Sequence, residues 1–407
     1  MAENRIERVV RRTVASAVPA EVLQDEELNA DIRASLPSNY SFEVHKCVWR
    51  LRTAKARRVA LQLPEGLLMY ASVLGDLLGK HAGVECVVMG DVTYGACCVD
   101  DFSAAQLGCD FLIHYGHSCL VPVTSCLLPM LYVFVSISFD WAHLVECLKL
   151  QFARTDRIAL IATIQFVACL HEMRPSLEAY FESAVQIPQN KPLSPGEVLG
   201  CTAPSLAECD ALVYVADGRF HLEAAMIANP EVPAFRYDPY SKAFTSEHYD
   251  HDRMMALRSS AVQSAQRAKR FGVILGTLGR QGSPKILSRI TRVFREQKRC
   301  YFVILLSEIS PTKLQALEHA GGVDAWVQIA CPRLSIDWGE AFTRPLLTVY
   351  EAMVALGHVE WRTRAYPMDY YSKDGAEWSN YYGTAGKQAR SGAKPAAGIV
   401  NAESIEW

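Results

Sequence analysis

Short apolar runs rich in Val, Ile, Leu and Ala alternate along the chain with longer amphipathic stretches. That alternation builds a parallel sheet from strands joined by crossover helices. The runs fall into three sets. The first predicts strands over Arg58–Pro64, Glu85–Asp91, Phe111–His117 and Leu131–Ile137. The second covers Arg157–Gln165, a weaker Ala184–Pro188, Ala211–Asp217 and Ala234–Asp238, and the third Phe271–Gly279, Tyr301–Glu308, Ala325–Cys331 and Pro345–Tyr350. Helical spacing between them predicts Leu67–Lys80, Pro175–Ala184, Arg253–Lys269 and Lys285–Gln297. The expected fold is α/β, with three related domains around a pseudo-threefold centre, each a small, mostly parallel sheet with flanking helices. The predicted domains are 41–150, 151–266 and 267–365, between an N-terminal extension (1–40) and a tail (366–407).

The third strand of each set repeats a local signature: Asp110, Asp210 and Asp324 each stand just before an apolar run. Residues 1–40 are polar, with a helical tendency and few core signals. The tail is first rich in Tyr and Trp (Tyr366, Tyr370, Tyr371, Trp378, Tyr381, Tyr382), a composition suited to wrapping the body or a partner. Its last twenty or so residues have the composition of a disordered segment.

Composition narrows the classes. Of 407 residues, half are hydrophobic and about a fifth charged, ordinary for a globular protein with real cores. A formal charge of −3 argues against a protein that grips nucleic acid through its phosphates, and no apolar run reaches membrane-spanning length. Arg5, Arg8, Arg11 and Arg12 resemble an organelle presequence, but Glu3 and Glu7 oppose that, so a cytoplasmic location is expected.

Thirteen cysteines in such a chain imply reduced thiols. Cys86, Cys169 and Cys300 lie in apolar runs and read as small core residues. The contexts of Cys47, Cys109, Cys147 and Cys209 are uninformative, and Cys119 and Cys126 are weak ligand candidates in a Pro-punctuated loop. Three others differ. Cys97, Cys201 and Cys331 each occupy a Gly- or Pro-flanked segment at a strand end, more than a hundred residues apart, and none belongs to a CxxC pair. A zinc ribbon or ferredoxin clusters its ligands within a few residues. Isolated thiols suggest instead that each of three similar units lends one ligand to a shared centre. Three thiolates on a four-iron cluster would leave one iron open to a substrate.

Gln62-Leu-Pro-Glu-Gly-Leu67, the segment Met89–Asp101 around Tyr94-Gly-Ala-Cys-Cys98, His114-Tyr-Gly-His-Ser-Cys119, Gly276-Thr-Leu-Gly-Arg-Gln-Gly282 and Ala330-Cys-Pro-Arg-Leu-Ser-Ile-Asp337 together resemble the diphthamide synthesis family, over roughly residues 38–365. The resemblance implies a non-standard radical S-adenosylmethionine enzyme in which Cys97, Cys201 and Cys331 hold a 4Fe-4S cluster. Cys98 neighbours Cys97, and in an extended loop only one of the two readily faces the centre; the resemblance selects Cys97. It further implies cleavage of the Cγ–S bond of S-adenosyl-L-methionine and transfer of the 3-amino-3-carboxypropyl group to a histidine of elongation factor 2. The implied partners are a diphthamide synthase subunit 2 homologue, forming a heterodimer, and a small electron-donor protein.

Several residues carry two readings. Gln281 and Ser283, in a strand–loop–helix junction, are candidates for binding the methionine or ribose groups, whereas Ser283 before Pro284 is equally an ordinary N-cap. Glu65 complements a helix dipole. His114 and His117 suit a hydrogen-bonded lining better than a metal pair. Arg333 suits a cluster charge, a carboxylate or a surface salt bridge. The alternative functions are an iron-sulfur scaffold or electron-transfer subunit supporting a partner, and a nucleotide-binding α/β enzyme with coincidental cysteines.

Overall fold

A computed structural model describes residues 18–91 and 93–383. The basic N-terminal residues and the end of the tail lie outside that range. Three four-stranded sheets carry the architecture. The first contains β1 (Arg58–Gln62), β2 (Glu85–Met89), β3 (Phe111–Tyr115) and β4 (Met130–Val133), all parallel, in the order β2-β1-β3-β4. The second contains β5 (Ile158–Ala162), β6 (Ala211–Val215), β7 (Ala234–Asp238) and β8 (Ala243–Glu247) in sequential order, with β8 antiparallel at the edge. The third contains β9 (Arg270–Gly276), β10 (Cys300–Leu306), β11 (Ala325–Ile329) and β12 (Leu346–Leu347), all parallel, in the order β10-β9-β11-β12.

The first and third sheets therefore share one strand order, and the second departs from it at both edges. The expected strand Ala184–Pro188 is reduced to a single parallel bridge between Gln186 and Ala159, joined by another between Glu197 and Ala162. Pro188, Pro192 and Pro195 lack the N–H groups that a continuous ladder requires. The β8 hairpin was not foreseen, because Ala-Phe-Thr-Ser-Glu is a polar edge strand with no clear alternation.

The repeated aspartates have one physical job. Asp110 accepts from the Arg57 and Arg58 amides (3.0–3.1 Å), Asp210 from the Arg157 amide (2.9 Å), and Asp324 from the Lys269 and Arg270 amides (2.9 Å each). Each carboxylate ties the entry of a third strand to the entry of the first strand beside it.

Several boundaries moved for identifiable reasons. The helix expected over Pro175–Ala184 runs over Val167–Glu178, burying Val167, Leu170, Met173 and Leu177 at helical spacing, with Pro175 near its end. Pro345–Tyr350 is strand only at Leu346–Leu347, because Thr348 and Glu351 form a capping box that starts the helix Val349–Ala355. The N-terminal extension is less separate than its composition suggested. Its helix Glu26–Ser35 buries Leu28, and Val22, Leu28 and Leu36 join Phe42, Val48 and Leu51 of the next segment in the core under the first sheet. Cys169 is buried as expected and Cys86 half-buried, whereas Cys300 is exposed at the start of the edge strand β10.

The aromatic tail packs on its own chain. Tyr366, Tyr370, Tyr371 and Trp378 are all buried in the core that joins the second and third sheets. Nearby, Arg258 on the helix His251–Gln266 makes a bidentate pair with Glu351 (2.6 and 2.7 Å), both side chains almost fully buried. Among the described residues, no helix is long and apolar enough to cross a membrane. Glu351→Gln leaves a buried guanidinium without its counter-charge, and a loss of about 3–5 kcal/mol is expected from urea unfolding; an unchanged midpoint would show that the pair does not hold these helices together.

Candidate metal centre

Cys97 and Cys331 follow the carboxyl ends of strands, where α/β sheets place their ligand sites, and Cys201 follows the bridge segment that stands in for the second sheet's lost strand. Cys97 lies in the 3-10 turn Ala96–Cys98 after β2, Cys201 in the turn after Gly200, and Cys331 caps the helix Pro332–Trp338 after β11. The fold brings their thiols within one another's electrostatic reach. Cys97 is raised well above an ordinary thiol by its hydrogen bond with Cys98, by burial, and by the fields of Cys98, Cys201 and Cys331. Burial and then Cys331 push Cys201 up to about 12, and burial raises Cys331 against the opposing Arg333 amide and guanidinium. From the tail, Tyr371 is raised by burial and then by the same cysteines.

Three half-buried thiols that resist ionisation together are a poor arrangement for free thiolates and a good one for thiolates bound to a multiply charged centre. No group of three His, Cys, Asp or Glu side chains among the described residues converges tightly enough to hold a single metal ion. Thiolates are soft, anionic donors of the kind that hold iron-sulfur groups. Cys98 is buried and accepts from Gln281 Nε2 at 3.5 Å.

Polar clamps hold the converging loops. The Arg280 guanidinium makes a bidentate pair with buried Asp101 (2.6 and 2.8 Å) and lies over the Phe102 ring, while its amide donates to the Cys97 carbonyl at 2.8 Å. Gly279, with φ +53°, permits this contact, since a Cβ there would come within 2.5 Å of the Cys98 backbone. Gln165 donates to the Gly116 carbonyl at 2.6 Å and Ser118 donates to Glu197, joining the first sheet to the second.

Arg333 joins the second to the third. It pairs with Glu223 and Asp337, donates to the carbonyls of Phe220 (2.7 Å) and Gly200 (3.3 Å), and stacks on the Phe220 ring. Its side chain is only 2% exposed. The surface salt bridge is thus corrected: a buried arginine ties the residue before Cys201 to the helix that starts after Cys331.

Other sequence candidates are placed as follows. Ser283 accepts from the Ile286 amide (3.4 Å) as the N-cap of the helix Pro284–Glu296. Gln281 lines a narrow crevice with Tyr370, Tyr371 and Trp378. His114 and His117 hydrogen-bond to each other (3.1 Å), and His114 also to Gln62 (2.9 Å). Glu65 starts a 3-10 turn. Cys126 sits beside Met130 and the Pro122 carbonyl, and Cys119 is exposed. Sequence reasoning missed Gln62, Asp101 and Tyr371; the first two lie inside quoted segments, but nothing local reveals their partners.

A family model for diphthamide synthesis proteins matches residues 63–367. The chain belongs to the diphthamide synthesis family. Within it, 2-(3-amino-3-carboxypropyl)histidine synthase subunit 1 of Gallus gallus is 56% identical over 367 residues, covering 90% of this chain and 88% of that protein. Its Homo sapiens counterpart is 55% identical over 368 residues, covering 90% and 82%. Among solved structures, Dph2 from Pyrococcus horikoshii with a 4Fe-4S cluster superposes with a TM-score of 0.66 at 28% identity, covering 81% of this chain and 94% of that one.

Burial, then a neighbouring charge or ring, holds both His117 and His221 down to about 4. Their folded values lie below the unfolded one near 6.5, so their stabilising effect is complete above that pH and is lost as pH falls toward 4. Urea midpoints should therefore drop between pH 6.5 and 4, and His221→Phe should flatten that slope. A parent midpoint that is constant across this window would contradict the burial argument.

Proposed function

We propose that this chain is the cluster-bearing subunit of a 2-(3-amino-3-carboxypropyl)histidine synthase, acting at the first step of diphthamide formation. The substrates are S-adenosyl-L-methionine, cleaved at its Cγ–S bond, and elongation factor 2, which receives the 3-amino-3-carboxypropyl group on one histidine. The observation that carries the reading is the electrostatic coupling of half-buried Cys97, Cys201 and Cys331, in a chain that belongs to this family.

In this reading three α/β units, 41–150, 151–266 and 267–365, surround a pseudo-threefold centre, and Cys97, Cys201 and Cys331 hold a 4Fe-4S cluster. When bound, such a cluster supplies a reducing electron and one iron free to take the amino and carboxylate groups of S-adenosyl-L-methionine. The chain's own residues do the rest. Gln281, on the narrow crevice beside Tyr371, and Ser283 on the same loop are assigned to the methionine or ribose groups of S-adenosyl-L-methionine. Arg333 holds the Cys201 and Cys331 segments in register, and Arg280 with Asp101 closes the Cys97 side. The buried aromatic tail excludes water and oxygen from the reacting atoms.

The subunit-1 names of its relatives imply an assembly of more than one chain. We assign the partner as a subunit 2 homologue, with a small protein delivering electrons and the complex acting in the cytoplasm.

Anaerobic reconstitution with the partner, reduction with dithionite and assay of methylthioadenosine test this reading. Cys97→Ala, Cys201→Ala and Cys331→Ala should each lose iron and turnover, whereas Cys98→Ala should keep both. Retention of iron and turnover by all three variants would overturn the ligand assignment, and loss on Cys98→Ala would move the first ligand by one position.

A further inference from the structure

Beside the cysteine turn, a chain of hydrogen bonds fixes the tautomer of one half-buried histidine. Buried Gln62, at the end of β1, donates from Nε2 to the Cys98 carbonyl at 2.8 Å, and its Oε1 accepts from the Asp100 amide at 3.3 Å. A backbone carbonyl can only accept and a backbone amide can only donate, so this side chain has one orientation. Oε1 also lies 2.9 Å from His114 Nδ1, which therefore carries the proton. Burial, and then His117, pushes the His114 pKa far down, so the ring is neutral and its Nε2 bears the lone pair. That nitrogen is 3.1 Å from His117 Nδ1, so the proton between them belongs to His117. His117 is neutral as well, lowered by burial and by His221 against a raising contribution from the Tyr115 carbonyl. With the Nδ1 proton shared by His114 Nε2 and assigned also to the Tyr115 carbonyl, Nε2 is left as the acceptor of the neutral ring.

The surroundings say what this acceptor takes. The backbone on both sides of His117 is fastened across the seam between the first and second sheets, by Gln165 on the Gly116 carbonyl and by Glu197 on Ser118. Across that seam stands His221, lowered by burial and then by Arg333. Two imidazoles held neutral mark a place hostile to added positive charge, so an ammonium fits poorly and a neutral N–H donor fits well. The reaction assigned above brings one such group, the imidazole of the histidine to be modified.

Resting on that reading, we propose that His117, through Nε2, accepts a hydrogen bond from the ring N–H of the target histidine and so turns the ring's modified carbon toward the reacting group. In the assembled complex, His117→Leu should raise KM for elongation factor 2 about tenfold, with a smaller effect on kcat. It should also raise the methylthioadenosine released per histidine modified. His117→Gln, which restores an acceptor oxygen, should recover part of both. Nitrogen-15 histidine spectra of the complex should show His117 protonated at Nδ1, and Gln62→Leu should remove that preference.

A KM within about twofold of the parent with an unchanged release ratio would overturn the proposal, as would a spectrum with His117 protonated at Nε2. If the leucine variant fails to fold, His117→Gln carries the kinetic test, with an unchanged release ratio and KM on loss of the imidazole counting against the proposal. A parent complex that releases no methylthioadenosine would overturn the reaction assignment and the ligand named here with it, while the tautomer remains separately testable.

Discussion

Thiols buried side by side resist becoming thiolates, because each negative charge loses its hydration and faces the next. Cys97, Cys201 and Cys331 meet under those terms, coming from three different sheets. The rest of the structure is arranged around that constraint. The segments that carry the thiols are short, turn-like and glycine- or proline-punctuated, and contacts from a neighbouring sheet add to those from their own, where Gln62 and Gln328 donate to the Cys98 and Cys331 carbonyls.

Those contacts form a closed circuit. Arg280 and Gly279 press the third sheet's first loop onto the Cys97 turn. Gln165 and Glu197 bind the second sheet to the loop after β3. Arg333 returns from the third sheet to the second, reaching Glu223 and the Gly200 carbonyl. Most of these links involve a buried charged or amide group, which is expensive to leave unpaired. A shift of one sheet breaks two seams at once, so the position of each thiol depends on all three sheets. Tyr371, anchored through the Thr202 hydroxyl at 3.0 Å, places the tail over the same spot.

What the sequence disclosed follows from the range of the interactions. Strand interiors such as Ala211–Val215 and Ala325–Ile329 were legible because burial on both faces writes a continuous apolar run. The aspartates before the third strands were legible as a repeat, although their task of capping a neighbouring strand was not. The three cysteines stood out by their Gly/Pro context and their separation. Residues acting over long range stayed hidden: Asp101 and Arg280 are 179 residues apart, and nothing local in either announces the other. For Arg333 the sequence left a bound carboxylate and a surface salt bridge equally open for the same reason, since its partner Glu223 sits on another sheet's helix. The lost second strand of the second sheet reflects prolines that cost little in composition but remove ladder donors.

The account stands or falls on a single centre shared by thiolates from three sheets. Iron-edge anomalous diffraction from anaerobically reconstituted crystals tests it most directly. The expected map shows one compact four-iron density bonded to the sulfurs of Cys97, Cys201 and Cys331, with one iron carrying no protein ligand. Density bound to Cys98 or Cys126 in place of any of the three, or a fourth protein ligand closing the open iron, would contradict it.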